Sequence, residues 1–453
     1  MLGLDKEVAQ IAQKPTAERV KALKRIIPCS LLKASLKATG SNRYCRRVPK
    51  WFMLWFVIGM GLFATDCYRQ IFRWLQRFRK NSIPLRTTLC EARQRLGVAP
   101  VRWLMNQVVK LLATLKTPGA FYRGMRLMAV DGFVLNVPDT PDNARVFGRP
   151  NGGRTPGAFP QVRVLALCEI GTHVLCKCLI KPIRRAEILM AKCLLRFLAP
   201  DMLLLWDRGF LSYENVQDLL AGQAQLLARI KKNHVFAKLK VLRDGSYLAK
   251  MYRSAKHRRK DQDGIPVRII EYTIQDKGRP GSGTVHRLLT TLLDARLDPA
   301  KRLIELYHER WEEELAIDEL KTHQGQRPVL RSQTPAGVVQ EVYGLLLAHF
   351  VVRKLMFEAA AKQNLPPRRL SFTGTLKILR CRLPECPRNE RGWKRWYGDL
   401  LTEIAEETLE HRRDRINPRV IKCKMSKWQK KRPEHKHYPQ PEKGFRKAIE
   451  IIC

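Results

Sequence analysis

Three carboxylates and one run of helix-forming residues carry the chemistry available to this sequence. Asp131 and Asp207 each close a short apolar stretch, Met125–Val130 and Met202–Trp206, and glycine follows closely at Gly132 and Gly209. Such stretches read as buried strands whose ends emerge at a sheet edge, where glycine lets the backbone turn sharply or approach a ligand. Glu314 lies in Tyr307–Lys321, which contains no Gly or Pro and reads as one helix. At about 100° per residue, Tyr307, Arg310, Glu314 and Lys321 fall within an arc of roughly 60°. Trp311 and Leu315 flank that polar stripe on one side, Leu306 and Ile317 on the other. Helical spacing alone does not single out Glu314, because Asp318 sits near the same stripe. Three converging carboxylates repel one another unless divalent cations lie between them, and Mg²⁺ or Mn²⁺ prefers such oxygen donors. Two ions roughly 3.5–4 Å apart can activate a water or a 3′-hydroxyl and stabilise the leaving oxygen. Taken singly, a strand-end Asp is a turn residue and a charge-rich helix is a solvated face. Only the combination points to phosphoryl chemistry.

The elements that must position these residues follow in order along the chain. Residues 1–120 read as helices, with apolar residues at helical spacing in Ser30–Leu36, Val57–Phe63 and Val101–Leu115. Two basic groups are interleaved there: Lys21, Lys24, Arg25, Arg43, Arg46, Arg47 and Lys50, then Arg69, Arg73, Arg77, Arg79 and Lys80. Phe72, Trp74 and Phe78 sit within the second group, a mixture that favours contact with nucleic acid. From Met125 the texture becomes β-prone. Val162–Cys168 and His173–Ile180 flank a hairpin at Glu169–Gly171, Arg185–Phe197 is helix-like, and Met202–Trp206 is a further buried strand. That order gives an α/β (α+β) core with a mixed sheet. A β-rich insertion over about 225–298 contains Leu226–Ile230, Val267–Ile274 and Val285–Leu292, with the basic loop Arg253–Arg259 inside it. A second long apolar helix, Ala336–Ala360, follows the polar one. The expected domains are therefore 1–120, helical and DNA-binding; 121–380, the sheet core with its insertion; and 381–453, a basic C-terminal region.

Composition narrows the partner. The chain has 453 residues, 85 Lys and Arg against 41 Asp and Glu, and a net charge of +44, with a globular hydrophobic fraction of 45%. Such an imbalance calls for a polyanion, and nucleic acid leads an anionic membrane surface. The apolar run Trp51–Phe63 is shorter than the roughly 20 residues of a membrane span and reads as a buried helix. With no export signal apparent, the twelve cysteines read as reduced thiols of a cytoplasmic protein. Cys176/Cys178 and Cys381/Cys386 have no convincing second pair of metal ligands. The tail from His411 is basic, with Trp428 and Tyr438 among its cations, and reads as an arm that orders on nucleic acid.

The spacing Tyr307-x2-Arg310-x3-Glu314-x6-Lys321 matches at every position the signature of the IS4 family of bacterial insertion-sequence transposases, which have an RNase H-like DDE catalytic domain. Asp131-Gly132-Phe133 and Asp207-Arg208-Gly209-Phe210 resemble that family's first and second Asp motifs. The intervals of 76 and 107 residues also fit, the second being long because family members carry a β insertion there. Arg46–Phe63 and Glu91–Trp103 look like the family's N-terminal region, and Asn417–Lys422 like its basic end. The resemblance implies that Asp131, Asp207 and Glu314, rather than Asp318, hold two Mg²⁺ (or Mn²⁺) ions. It implies that Tyr307, Arg310 and Lys321 contact phosphates of the element's ends. It implies cut-and-paste transposition of double-stranded DNA by a synaptic dimer in the cytoplasm, with no membrane. Some members stack a flipped base on an aromatic of the insertion, for which Tyr247, Tyr252 and Tyr272 are candidates here. Two other readings remain: a non-catalytic DNA-binding protein, such as a decayed copy acting as repressor, and a metal nuclease without strand transfer.

Overall fold

The computed structural model describes residues 20–41, 48–75, 83–152, 155–231, 233–279, 282–387, 389–410, 420–421, 429–430, 432–437 and 439–452. They fall into two compact units, each assembled from two stretches of chain. One is Met1–Phe197 with Trp311–Leu409, the other Leu198–Arg310 with Glu410–Cys453. The first begins with helices α1 (Cys29–Ala38), α2 (Lys50–Leu62), α3 (Tyr68–Leu75), α4 (Arg86–Leu96) and α5 (Ala99–Val108). Strands β1 (Met125–Asn136), β2 (Gln161–Glu169) and β3 (Val174–Pro182) and helix α6 (Glu187–Leu195) follow. The second unit holds β4 (Met202–Trp206), α7 (Tyr213–Ala221), β5 (Gln225–Arg229), β6 (Tyr247–Met251), β7 (Ile265–Ile274), β8 (His286–Thr290) and α8 (Ala300–His308). The first resumes with α9 (Trp311–Asp318), a π-helical segment Glu319–Gly325, α10 (Pro335–Lys362), α11 (Phe372–Arg382) and α12 (Glu390–Glu406). The short strand β9 (Ile449–Ile451) returns to the second unit. Parallel and antiparallel pairs both occur, so the expected α/β class with mixed sheet is borne out.

In the first unit β2 pairs antiparallel with both β1 and β3, and the apolar positions Leu127–Val130 and Val164–Cys168 form its buried layer. The core of the helical part is α10, most of whose residues are buried. Its length and apolarity would suffice to cross a membrane, yet most of it is enclosed by the rest of its own unit. Against it lies α2, buried from Phe52 to Leu62. The two backbones approach closely because glycine faces glycine. A Cβ on Gly61 would stand 2.4 Å from the Gly344 carbonyl oxygen, and one on Gly344 would stand 2.3 Å from that of Val57. Gly344→Val should therefore lower unfolding stability by about 1–3 kcal/mol or more, the range for overpacked cores. Urea titration checks this, and an unchanged midpoint would show that the helices can separate freely.

The expected helix Val101–Leu115 stops at Val108. Its apolar run continues, but the Leu112 and Ala113 amides donate to Glu169 Oε2 at 2.9 and 3.0 Å. That fully buried carboxylate also takes the Thr172 hydroxyl and the Arg126 guanidinium, so a tertiary partner wins over helical propensity. The aromatics of the second basic group also depart from expectation. Phe72 is buried, and Trp74 stacks on Phe63 at 5.6 Å while its indole N–H donates to Asp66 at 2.6 Å. They pack inward instead of lying among the cations. Arg43, Arg46 and Arg47, residues 77–80, and the tail positions 411–419, 422–428 and 438 lie outside the described residues. Cys176 is a core thiol: it donates to the Leu167 carbonyl at 3.3 Å, and burial pushes its pKa up to about 12.

In the second unit β4 and β5 run parallel, and β8, β7 and β6 extend the sheet antiparallel. Residues 225–298 contain β5, β6, β7 and β8, of which β6 is a strand that the sequence did not announce. Tyr272–Ile274, beyond the stretch of β7 paired with β6, take β9 as partner, so residues 449–451 belong to the sheet and not to a free tail. Arg268, fully buried on β7, binds Asp244, the Ser246 hydroxyl at 2.8 Å and the Asp298 carbonyl at 2.6 Å. Asp244 in turn accepts the Ala300 amide at 2.8 Å, fastening the start of α8 to the insertion.

Candidate active site

Asp131 does not end its strand. β1 continues to Asn136, because residues 131–136 pair in register with Ala166–Gln161 of β2, Asp131 opposite Ala166. What ends at Val130 is the fully buried part; Asp131 and Gly132 are half-buried. Successive side chains on a strand point to opposite faces. The Gly132 face is covered by α6: a Cβ at 132 would stand 2.9 Å from Glu187 Oε1. Asp131 therefore points to the other face, and its Oδ1 accepts the Gly132 amide at 2.7 Å. Gly132 serves close packing within a strand, not a turn.

The stretch expected to be a single helix is broken. α8 ends at His308, and the Glu309 and Arg310 amides bond three residues back, to the Leu306 and Tyr307 carbonyls, at 3.0 and 3.1 Å. α9 then runs from Trp311 to Asp318, and the π-helical segment follows. The single 60° arc therefore does not persist along the four signature residues. Tyr307 and Arg310 belong to the second unit, Glu314 and Lys321 to the first.

Within α9 one face is closed. Glu313, Ala316 and Ile317 are buried, and a charged network grips Glu312 and Glu319, which stand two turns apart on the same side. Glu314, about 200° from Glu312, falls on the open side with exposed Trp311 and Asp318, and is itself half-buried. Asp318 pairs with His323 at 3.3 Å across that outer surface. α9 packs against β1, so the first unit brings together the two elements that bear Glu314 and Asp131. Lys321 lies half-buried in the π segment, which Gln324 ties to α10 through a 2.8 Å bond to the Leu345 carbonyl.

The network behind α9 was not legible as such. His173 bridges the two glutamates, Nε2 to Glu312 Oε2 at 2.9 Å and Nδ1 to Glu319 Oε1 at 3.0 Å. Arg353 donates Nε to Glu319 Oε2 at 2.8 Å and Nη2 to Oε1, and His349 Nε2 meets Oε2 at 3.2 Å. Burial would raise the Glu319 carboxyl, but Arg353, His173 and the hydrogen bonds hold it well below the usual range. His349, enclosed in the same interior, is lowered chiefly by burial, against the pull of Glu319. His173 holds φ +58° in the β2–β3 turn, an uncommon conformation for a residue with a side chain.

In the second unit Asp207 stands where expected, half-buried directly after the fully buried β4. Phe210 stacks on Trp206 at 5.9 Å and its amide donates to the Asp207 carbonyl at 3.1 Å, closing the turn. Nothing approaches a Cβ placed on Gly209, so neither packing nor backbone demands glycine there. Tyr307 is buried, and its hydroxyl donates to the Trp206 carbonyl at 3.3 Å, one residue before Asp207. Burial raises its pKa, opposed in part by Arg310, so the phenol keeps its proton. Arg310 is half-buried in the turn after α8. Of the aromatics in the insertion, Tyr247 and Tyr272 are core residues, while Tyr252 lies at the rim with its hydroxyl on Asp261 at 2.6 Å.

Among the described residues, no three His, Cys, Asp or Glu side chains stand together as a finished metal cage. The donor chemistry still suits a hard cation: Asp131, Asp207 and Glu314 are all carboxylates, each half-buried, without a thiol or imidazole among them.

Comparison with known proteins adds independent findings. A family described as transposase DDE domain matches residues 122–351, and one described as insertion element 4 transposase N-terminal matches residues 17–106. The chain is 30% identical over 388 residues to transposase InsG for insertion sequence element IS4 of Escherichia coli (strain K12), covering 83% of this chain and 86% of that protein. It is 28% identical over 176 residues to putative transposase InsZ of the same organism, covering 39% of this chain and 57% of that one. Among solved structures, the cryo-EM structure of the piggyBac transposase synaptic complex with hairpin DNA aligns over 85% of this chain and 86% of that chain, at 12% identity and a TM-score of 0.42.

Proposed function

Because the chain belongs to the insertion-element 4 family of DDE transposases and is an insertion-sequence transposase, we propose that it cuts and rejoins double-stranded DNA by divalent-metal-dependent phosphoryl transfer. Asp131, Asp207 and Glu314 are the catalytic carboxylates in this reading. The observation that carries it is the open face of α9, which presents Glu314 from a helix packed on the strand of Asp131. Mg²⁺ or Mn²⁺ held by the three carboxylates would supply Lewis-acid polarisation of the phosphoryl oxygen and a more acidic nucleophile. The chain's own groups do the remaining work. Arg310 and Lys321 are the cations proposed to contact DNA phosphates and offset their charge. Tyr307, protonated, anchors the backbone that leads into Asp207. The +44 net charge draws DNA and makes its binding steeply salt-dependent. Residues 1–120 are the proposed end-binding region, a synaptic dimer the proposed assembly, and the cytoplasm the site of action.

The test is a reaction in vitro with the full chain, Mg²⁺ and the element's own end sequence. Nicking at the ends and joining of a pre-cut 3′-hydroxyl end to plasmid DNA are both expected. Tight end binding without cleavage would leave a DNA-binding repressor; cleavage without joining would leave a nuclease.

A further inference from the structure

We propose that Glu319 is a positioning residue for Glu314: it fixes the rotation of α9 and thereby keeps Glu314 on the open face. The proposal rests on the carboxylate reading given above. Its basis is the set of contacts on either side of Glu314 in the chain. Five residues later, Glu319 sits at the junction of α9 with the π segment and is held by Arg353, His349 and His173. Two residues earlier, Glu312 is held by the other nitrogen of the same His173 at 2.9 Å, with Arg368 at 3.8 Å. Apart from Arg368, the anchors come from α10 and from the β2–β3 turn, so the clamp ties α9 to a strand pair and to the central helix together. It grips the side opposite Glu314. A helix held only by apolar contacts at Ala316 and Ile317 can roll by a fraction of a turn; two carboxylates locked on one imidazole cannot.

The network has no other evident task. It lies behind the open face, buried or nearly so, and a buried ion cluster is seldom a net source of stability compared with apolar packing. Its geometry instead supplies direction. π-helical turns recur at functional sites for the same reason, since one wider turn redirects the side chains that follow. Here the wider turn begins at Glu319 and contains Lys321. The same anchor thus sets the starting point for both residues of the signature that lie in this unit.

The test compares wild-type protein with Glu319→Gln, which keeps shape and loses charge, and Glu319→Asp, which keeps charge on a shorter arm. Glu314→Ala serves as reference. Two readouts are taken on the full chain. In end cleavage titrated with Mg²⁺, Glu319→Gln should show a drop of about 10–100-fold in apparent metal affinity or rate, the usual effect of removing a group that orients a ligand, with end binding by gel shift unchanged. Glu319→Asp should recover part of that loss. In hydrogen exchange without metal or DNA, Glu319→Gln should accelerate amides of residues 312–325 selectively. A cleavage titration superposing on wild type, or acceleration spread evenly over the first unit, would overturn the proposal and leave the carboxylate reading standing. Normal cleavage by Glu314→Ala protein would overturn both.

Discussion

Glu314→Ala protein is expected to bind the element's ends as tightly as wild type and to lose Mg²⁺-dependent cleavage. Removing one of three carboxylates takes away charge that two dications would need. Metal catalysis supplies several kcal/mol of transition-state stabilisation, on the order of 10³-fold or more in rate. Binding should survive because DNA affinity comes from the cationic surface, and a neutral residue in place of an acid does not weaken it. Glu314 is half-buried on the open side of α9, while the packing of the helix is borne by Glu313, Ala316 and Ile317, so truncation of Glu314 should leave the fold intact. Asp131→Ala and Asp207→Ala should act alike, although they lie in different units. Asp318→Ala is the control: it faces outward and pairs with His323, and its loss should alter cleavage little. Cleavage lost in Asp318→Ala but kept in Glu314→Ala would reassign the site to the other acidic residue of the helix.

The largest stability effect is expected in the insertion, at Arg268. Replacing it with Met leaves Asp244 without its guanidinium partner and strips the Asp298 carbonyl of a donor, inside a sheet where Arg268 has no exposure. Breaking a buried pair from one side costs about 3–5 kcal/mol. The unfolding midpoint should fall accordingly in denaturant titration followed by circular dichroism. Asp244 also sets a pH dependence. Burial pushes its carboxyl up, but bonds from Ser246 and the Ala300 amide and the charge of Arg268 outweigh this, and its pKa lies below the ordinary value of 3.8. A depressed carboxyl contributes stability that is present above its unfolded pKa and is lost as pH falls through its folded one. The penalty of Arg268→Met should therefore shrink below about pH 4, as Asp244 takes up a proton in the unfolded chain and then in the folded one. A penalty constant from pH 7 to pH 3 would show that the pair adds nothing electrostatic.

What the sequence announced and what it withheld divide along the range of the interactions. Local patterns located the strands around Asp131 and Asp207, the hairpin before His173 and the apolar helices, because alternation and helical spacing are properties of neighbouring residues. The length of β1 was missed: Gly132 and Asn136 look like breakers, yet β2 supplies partners for every residue to 136. The break at Glu309–Arg310 was invisible, since both residues are good helix formers and nothing in their immediate neighbours signals a stop. Glu312 and Glu319 looked like solvated charges because His173 lies 139 and 146 positions from them, and Arg353 lies 34 from Glu319. The candidate carboxylates were therefore nameable from motif and interval, whereas the side of α9 on which Glu314 emerges depended on contacts no local reading contains.

The crossing of Gly61 with Gly344 has a consequence for motion. Packed helices usually accommodate rearrangement by sliding small distances along one another. At this crossing a shift along either axis would drive an adjoining Cβ into a carbonyl oxygen, since even an added methyl would stand within 2.4 Å of one. Shear between α2 and α10 is therefore opposed at this crossing. The part of α10 that carries His349 and Arg353 is thereby tied to α2, and the close crossing favours these two helices moving as one piece.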